Sequence, residues 1–189
     1  MHTKKLMIAA LLWCASGCAG ASQPGHAAAP REQADQTERA KLPMFPDLEA
    51  PLLGGGTVRI ASMRGHVVVL DVMASWCQTC TELLPRWDQL AERHHARPLQ
   101  VLLVSQDEDP EEMRELAKRR KIAHRIALDG EEVWWKRLGL VAVPTAIVIG
   151  ADGRHVATLR HLGEGGFEKL EAVVESELAR AEREGSARR

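Results

Sequence analysis

Cys77 and Cys80, three positions apart in Trp76-Cys77-Gln78-Thr79-Cys80, are the residues of this 189-residue chain best suited to chemistry. The chain has four cysteines, and the other two, Cys14 and Cys18, stand near its N-terminus. Closing so short a loop removes little entropy from the unfolded chain, so a lone Cys-x-x-Cys is poorly explained as a structural staple. Thiol–disulfide exchange explains it better. If Cys77 stands at or just before the first turn of a helix, its sulfur faces unpaired backbone amides and the positive end of the helix dipole. That placement stabilises a thiolate and makes Cys77 the nucleophile. Cys80, nearly one turn further on, is held where it can attack a mixed disulfide formed at Cys77. Gln78 and Thr79 carry no charge with which to tune the pair.

The elements that must position this pair follow from hydrophobic patterning. His66 to Val72 is an almost unbroken Val/Leu run, the pattern of a strand buried on both faces. After Cys80, Leu83, Leu84, Trp87, Leu90 and Ala91 recur at helical spacing up to His95, with Pro85 predicted to kink that helix. Leu99 to Ser105 predicts the next buried strand. Asp109, Pro110 and Glu112 supply an N-cap, a first-position proline and a third-position carboxylate for a helix reaching about Lys121. Ile126 to Leu128 is a short extended piece, and Glu131 to Leu138 a helix stopped by Gly139. Thr145 to Ile149 and Arg154 to His161 flank Ala151-Asp152-Gly153, a hairpin signature. Phe167, Leu170, Val173, Val174 and Leu178 make one face of a last helix, which ends in a frayed, charged tail. This order predicts an α/β domain with a mixed sheet covered on both faces. The cysteine pair then lies beyond the carboxyl end of a central strand, where open α/β sheets place their sites.

Upstream, Met1 to Lys5 is basic, Leu6 to Cys14 is apolar, and Ala15-Ser16-Gly17 places small residues before Cys18. The pattern is that of a secretory signal over residues 1–17, too short in its apolar part to span a bilayer. Small residues directly before a cysteine resemble a lipobox, which makes Cys18 the candidate lipidated N-terminus. Residues 18–41, poor in large apolar side chains, read as a flexible tether; 42–182 form the folded domain and 183–189 the charged tail. With 25 basic against 26 acidic residues and no polybasic run, nothing points to nucleic acid.

Other chemistries fit less well. His94 follows Cys80 at zinc-finger-like spacing, but the next residues, with Arg97, Pro98 and Leu99, supply no fourth ligand, so a metal site is not expected. A peroxidase site wants Thr three residues before its cysteine, and Cys80 has Cys77 there while Cys77 has Ala74. A Cu(I)-holding metallochaperone module remains the binding-protein alternative.

Trp76-Cys77-Gln78-Thr79-Cys80 after a buried strand, with Val143-Pro144-Thr145 far downstream, resembles the thioredoxin superfamily. Ser62-Met63-Arg64-Gly65, Ala74-Ser75-Trp76, Pro85, Val104-Ser105-Gln106-Asp107, Leu138-Gly139 and Asp152-Gly153-Arg154 narrow the resemblance to TlpA-like thiol-disulfide oxidoreductases, over about Leu42 to Ala181. The resemblance implies a three-layer α/β/α thioredoxin-like fold and no cofactor beyond the redox-active Cys77–Cys80 pair. It implies a cis-proline at Pro144 opposite the cysteines, with the Val143 carbonyl facing an extended substrate, and Trp76 shielding the site. Asp71, six residues before Cys77, falls at the position of a buried carboxylate that takes the Cys80 proton during resolution. The partners implied are protein thiols or disulfides and a membrane electron donor, met by a monomer anchored in the bacterial periplasm or cell envelope. The default role is reduction, as in cytochrome c maturation, with oxidase or isomerase activity as the alternative. The chain departs from the family pattern in having Thr79 before the second cysteine and Glu82 one position early.

Overall fold

A computed structural model describes residues 38–187. The reading of residues 1–17 as a signal and of Cys18 as a lipidation site lies outside them. Strands β1 (Glu49–Pro51) and β2 (Thr57–Arg59) form a small antiparallel hairpin, followed by a 3-10 turn at Ile60–Met63. Five further strands make the central sheet: β3 (Val67–Met73), β4 (Leu99–Ser105), β5 (Arg125–Leu128), β6 (Thr145–Ile149) and β7 (His155–Leu159). Their spatial order is β5-β4-β3-β6-β7. β3, β4 and β5 run parallel, whereas β6 is antiparallel to β3 and β7 to β6.

β3 is central, and every one of its residues is buried, as its continuous apolar run requires. Its alternate side chains feed two cores. Val67, Val69 and Met73 face α1 (Gln78–Arg93), α2 (Pro110–Arg120) and α4 (Gly166–Ala187), through Leu83, Leu84, Trp87, Met113, Phe167 and Leu170. Val68, Leu70 and Val72 face the opposite core, closed by the β1–β2 hairpin, Phe45, the 3-10 turn and Trp134 of the short α3 (Val133–Leu138). The three-layer arrangement therefore holds, but its second outer layer is more hairpin than helix.

Several boundaries differ from the sequence reading. α1 runs through Pro85 as expected but ends at Arg93, two residues before His95. α3 starts at Val133 rather than Glu131, because Asp129 Oδ1 and Oδ2 accept the amides of Trp134 and Trp135 and so fix the first turn there. α4 runs on to Ala187 instead of fraying from residue 183, supported by an Arg180–Glu184 ion pair one turn apart and by Ser186 Oγ donating to Glu182 O. The tether reading also fails at its end. Arg39 is docked on the domain, donating to Asp152 from Nε at 3.0 Å and Nη2 at 2.7 Å and to Glu177 from Nη1 at 2.7 Å. A charged, hydrophilic segment is thus ordered by carboxylates more than a hundred residues away, which composition alone does not reveal.

Candidate active site

β3 ends at Met73, and Ala74-Ser75-Trp76 carries the chain to Cys77, which is the N-cap of α1. Cys77 and Cys80 form a disulfide with their Cα atoms 5.3 Å apart. The amide of Cys80 points at Cys77 Sγ, 3.2 Å away. That is the contact expected of a cap sulfur, and on reduction the same amide and the helix dipole favour a thiolate at Cys77. Exposure separates the two roles: Cys77 is 9% exposed and Cys80 0%, so an incoming sulfur meets Cys77 first.

Asp71 lies on β3, the strand that leads to the pair. It is 0% exposed, and by strand alternation it shares the α1 face with Val69 and Met73. Neither carboxyl oxygen has a hydrogen-bond partner, and the Trp87 indole N–H is also unpaired. Burial without compensation pushes the Asp71 carboxyl up to about 7, with the nearby Trp87 N–H opposing the shift only in part. A carboxyl that titrates near neutrality can take a proton from a thiol and return it, the exchange that resolution at Cys80 requires.

The Val143–Pro144 peptide bond is cis. The pairing of Val72 with Thr145 sets Pro144 beside the carboxyl end of β3, from which the redox loop departs. Trp76 is 68% exposed and lines one groove together with Val143, so the structure brings these two together at the surface. Trp76 offers most of its face to solvent and to an incoming chain.

Sequence reading alone does not single out the buried network that holds the loop. Asp107, 3% exposed, accepts the Ser75 amide at both carboxylate oxygens (3.0 and 3.1 Å), Ser75 Oγ at 2.7 Å and Ser105 Oγ at 2.7 Å. It thereby ties the residue two before Cys77 to the end of β4. Next to it, Gln106 Nε2 donates to Asp129 Oδ2 at 3.0 Å, linking the same β4 end to the start of α3. The available signal is a polar Ser105-Gln106-Asp107 triplet directly after a buried strand. Metal ligation by Cys80 and His94 is excluded by geometry, because they stand at opposite ends of α1, about 21 Å apart at ~1.5 Å per residue.

A central mixed sheet, a Cys-x-x-Cys pair capping the helix after β3 and a facing cis-proline define a class, the thioredoxin-like thiol-disulfide oxidoreductases. The chain matches the AhpC/TSA family over residues 43–157, more than half its length, and belongs to that family. It is 22% identical over 122 residues to thiol-disulfide oxidoreductase ResA of Bacillus thuringiensis, a match covering 65% of this chain and 69% of that one. Protein SUPPRESSOR OF QUENCHING 1 of Arabidopsis thaliana is 29% identical over 121 residues, 61% of this chain but only 11% of that much longer protein. Among solved structures, a Chlorobium tepidum protein assigned as a thiol:disulfide interchange protein DsbE superposes with a TM-score of 0.69 at 25% identity, covering 73% of this chain and 97% of its own.

Proposed function

We propose that this protein is an exported thiol-disulfide reductase of the cell envelope, anchored through a lipid on Cys18, which passes electrons from a membrane donor to oxidised protein cysteines such as those of apocytochromes. The observation that carries the exchange chemistry is the cap geometry, with the Cys80 amide on Cys77 Sγ and a buried Asp71 carboxyl poised near neutrality on the strand before it. In the reductive half-reaction the Cys77 thiolate attacks a substrate disulfide, displacing one substrate thiolate and forming a mixed disulfide. Cys80, losing its proton to Asp71, then attacks Cys77 Sγ; the second substrate thiol leaves and the Cys77–Cys80 disulfide closes, with two electrons transferred. Export and anchoring are supported by the basic, apolar and small-residue order of residues 1–18. Among the described residues no helix is long and apolar enough to cross a membrane.

The test is the reduction potential of the Cys77/Cys80 couple, followed by Trp76 fluorescence in thiol–disulfide buffers. A value of about −270 mV or lower is expected for a reductant, and one between about −180 and −120 mV would replace it with an oxidase or isomerase. Absence of a reversible two-electron transition would remove thiol exchange altogether. Substituting Cys80→Ser should trap substrates as mixed disulfides on Cys77, whereas Cys77→Ser should trap none.

A further inference from the structure

The groove that Trp76 and Val143 line extends away from the disulfide between the start of α2 and the β5–α3 turn, and five carboxylates face it: Glu108, Asp109, Glu112, Glu131 and Glu132. Two of these are engaged, Asp109 with the Glu111 amide as the α2 cap and Glu132 with Lys136 at 3.1 Å. Glu108, Glu112 and Glu131 are exposed and have no side-chain hydrogen bond or ion pair among the described residues. Lys136 is the one cationic side chain in the lining, and Glu132 already neutralises it. The groove wall also holds an acceptor without a donor: Gln106 commits its Nε2 to Asp129, while its Oε1 is buried and unpaired. Trp76 and Trp135 give the same groove aromatic surface. The acids alone would be a solvated rim. What makes the groove a binding surface is the reactive sulfur beside it, since a polypeptide that brings its cysteine to Cys77 must cross Trp76 and Val143.

We propose that this groove selects extended polypeptide substrates that carry Lys or Arg near the reacting cysteine; the inference rests on the thiol-exchange reading above. Three uncompensated carboxylates attract a cationic chain and speed its encounter, while an acidic chain is repelled. The aromatic faces suit the aliphatic stems and charged heads of Lys and Arg.

The experiment uses the full chain with Cys77 and Cys80 reduced and excess reductant removed. Two peptides differ only in carrying Lys or Glu beside a single cysteine, which is capped as a mixed disulfide with 2-mercaptoethanol. The reaction consumes one peptide disulfide and yields peptide thiol, mercaptoethanol and the Cys77–Cys80 disulfide, read by Trp76 fluorescence in a single turnover. At low ionic strength the Lys peptide should react about tenfold faster or more. The ratio should fall toward one at about 0.5 M salt, where screening acts within a few ångströms. It should also fall toward one in the triple variant Glu108→Gln, Glu112→Gln, Glu131→Gln, and should invert when Glu108→Lys and Glu131→Lys are combined. Equal rates for the two peptides in the unmodified protein, or a preference that survives both sets of substitutions, would overturn the groove proposal while leaving thiol exchange intact. Reaction with neither peptide would overturn the exchange reading itself, and the proposal with it.

Discussion

A carboxyl group without a single hydrogen bond, buried in the middle strand of a sheet, must be held for some purpose or be a liability, and for Asp71 the energetics make it both. Its folded pKa of about 7 lies above its unfolded value of 3.8. Between those values the folded state keeps a proton that the unfolded state releases, so stability falls as pH rises from about 4 to 7, and the full cost persists above that. Three units correspond to about 4 kcal/mol at most. Asp71→Asn should therefore flatten the loss of urea resistance between about pH 5 and pH 8, raising the unfolding free energy at the higher pH by up to that amount, less the cost of burying an amide. The same variant should slow resolution, seen as longer-lived mixed disulfides, and remove a pH step near 7 from the turnover rate. A midpoint that falls with pH as steeply in the variant would contradict this assignment. At this scale the cysteines were plain in the sequence because their spacing alone implies exchange chemistry. Asp71 was found only through resemblance, since one acid in a run of valines does not say which face it occupies or whether anything satisfies it.

At the scale of elements, the redox loop between β3 and α1 owes its shape to a carboxylate on a different strand. Asp107→Ala would leave the Ser75 amide and two hydroxyls without their acceptor, in a place water scarcely reaches. The expected loss is about 3 kcal/mol by urea titration, together with a lower rate of disulfide exchange and a shifted thiol pKa at Cys77 by alkylation against pH. At the opposite end of the ledger, Asp109→Ala should cost only about 1 kcal/mol, because it removes an exposed cap contact to Glu111. The strands, α1, α2 and the β6–β7 hairpin were legible from periodicity and caps. The start of α3 and the Asp107 and Asp129 networks were not, because both depend on which loops meet beyond the strand ends. That meeting is settled by the order β5-β4-β3-β6-β7, which no local pattern encodes.

For the whole molecule, the domain begins further upstream than its apolar core. Arg39 stands among Asp152, Glu177 and Arg180, with Glu177 and Arg180 also paired at 3.0 Å. Burial raises the Asp152 carboxyl, but the Arg39 hydrogen bond, the Arg154 amide and the charges of Arg39 and Arg180 outweigh it and hold the group at about 2. Because that value is depressed, the network's contribution is full above about pH 4 and is lost as the pH falls through 2. A chain starting at Leu42 should therefore melt well below one starting at Glu38, and most of that difference should vanish near pH 2. If the two melt together at neutral pH, the docking of Arg39 is not a stabilising contact. Replacing Cys18→Ser should abolish incorporation of labelled fatty acid and move the protein from the membrane to the soluble fraction.

Arg39 also fixes which end of the sheet the described chain enters from. Asp152 sits in the turn after β6, while the cysteines follow β3 and Pro144 precedes β6. Since β3 and β6 run in opposite senses, the Arg39–Asp152 contact and the disulfide lie at opposite ends of the sheet, about 20 Å apart along the seven residues of β3. A pull through Glu38 therefore acts at the end of the sheet away from the disulfide. A partner that grips the protein at Glu38 would leave Cys77 and Cys80 open to other chains at the far end of the sheet.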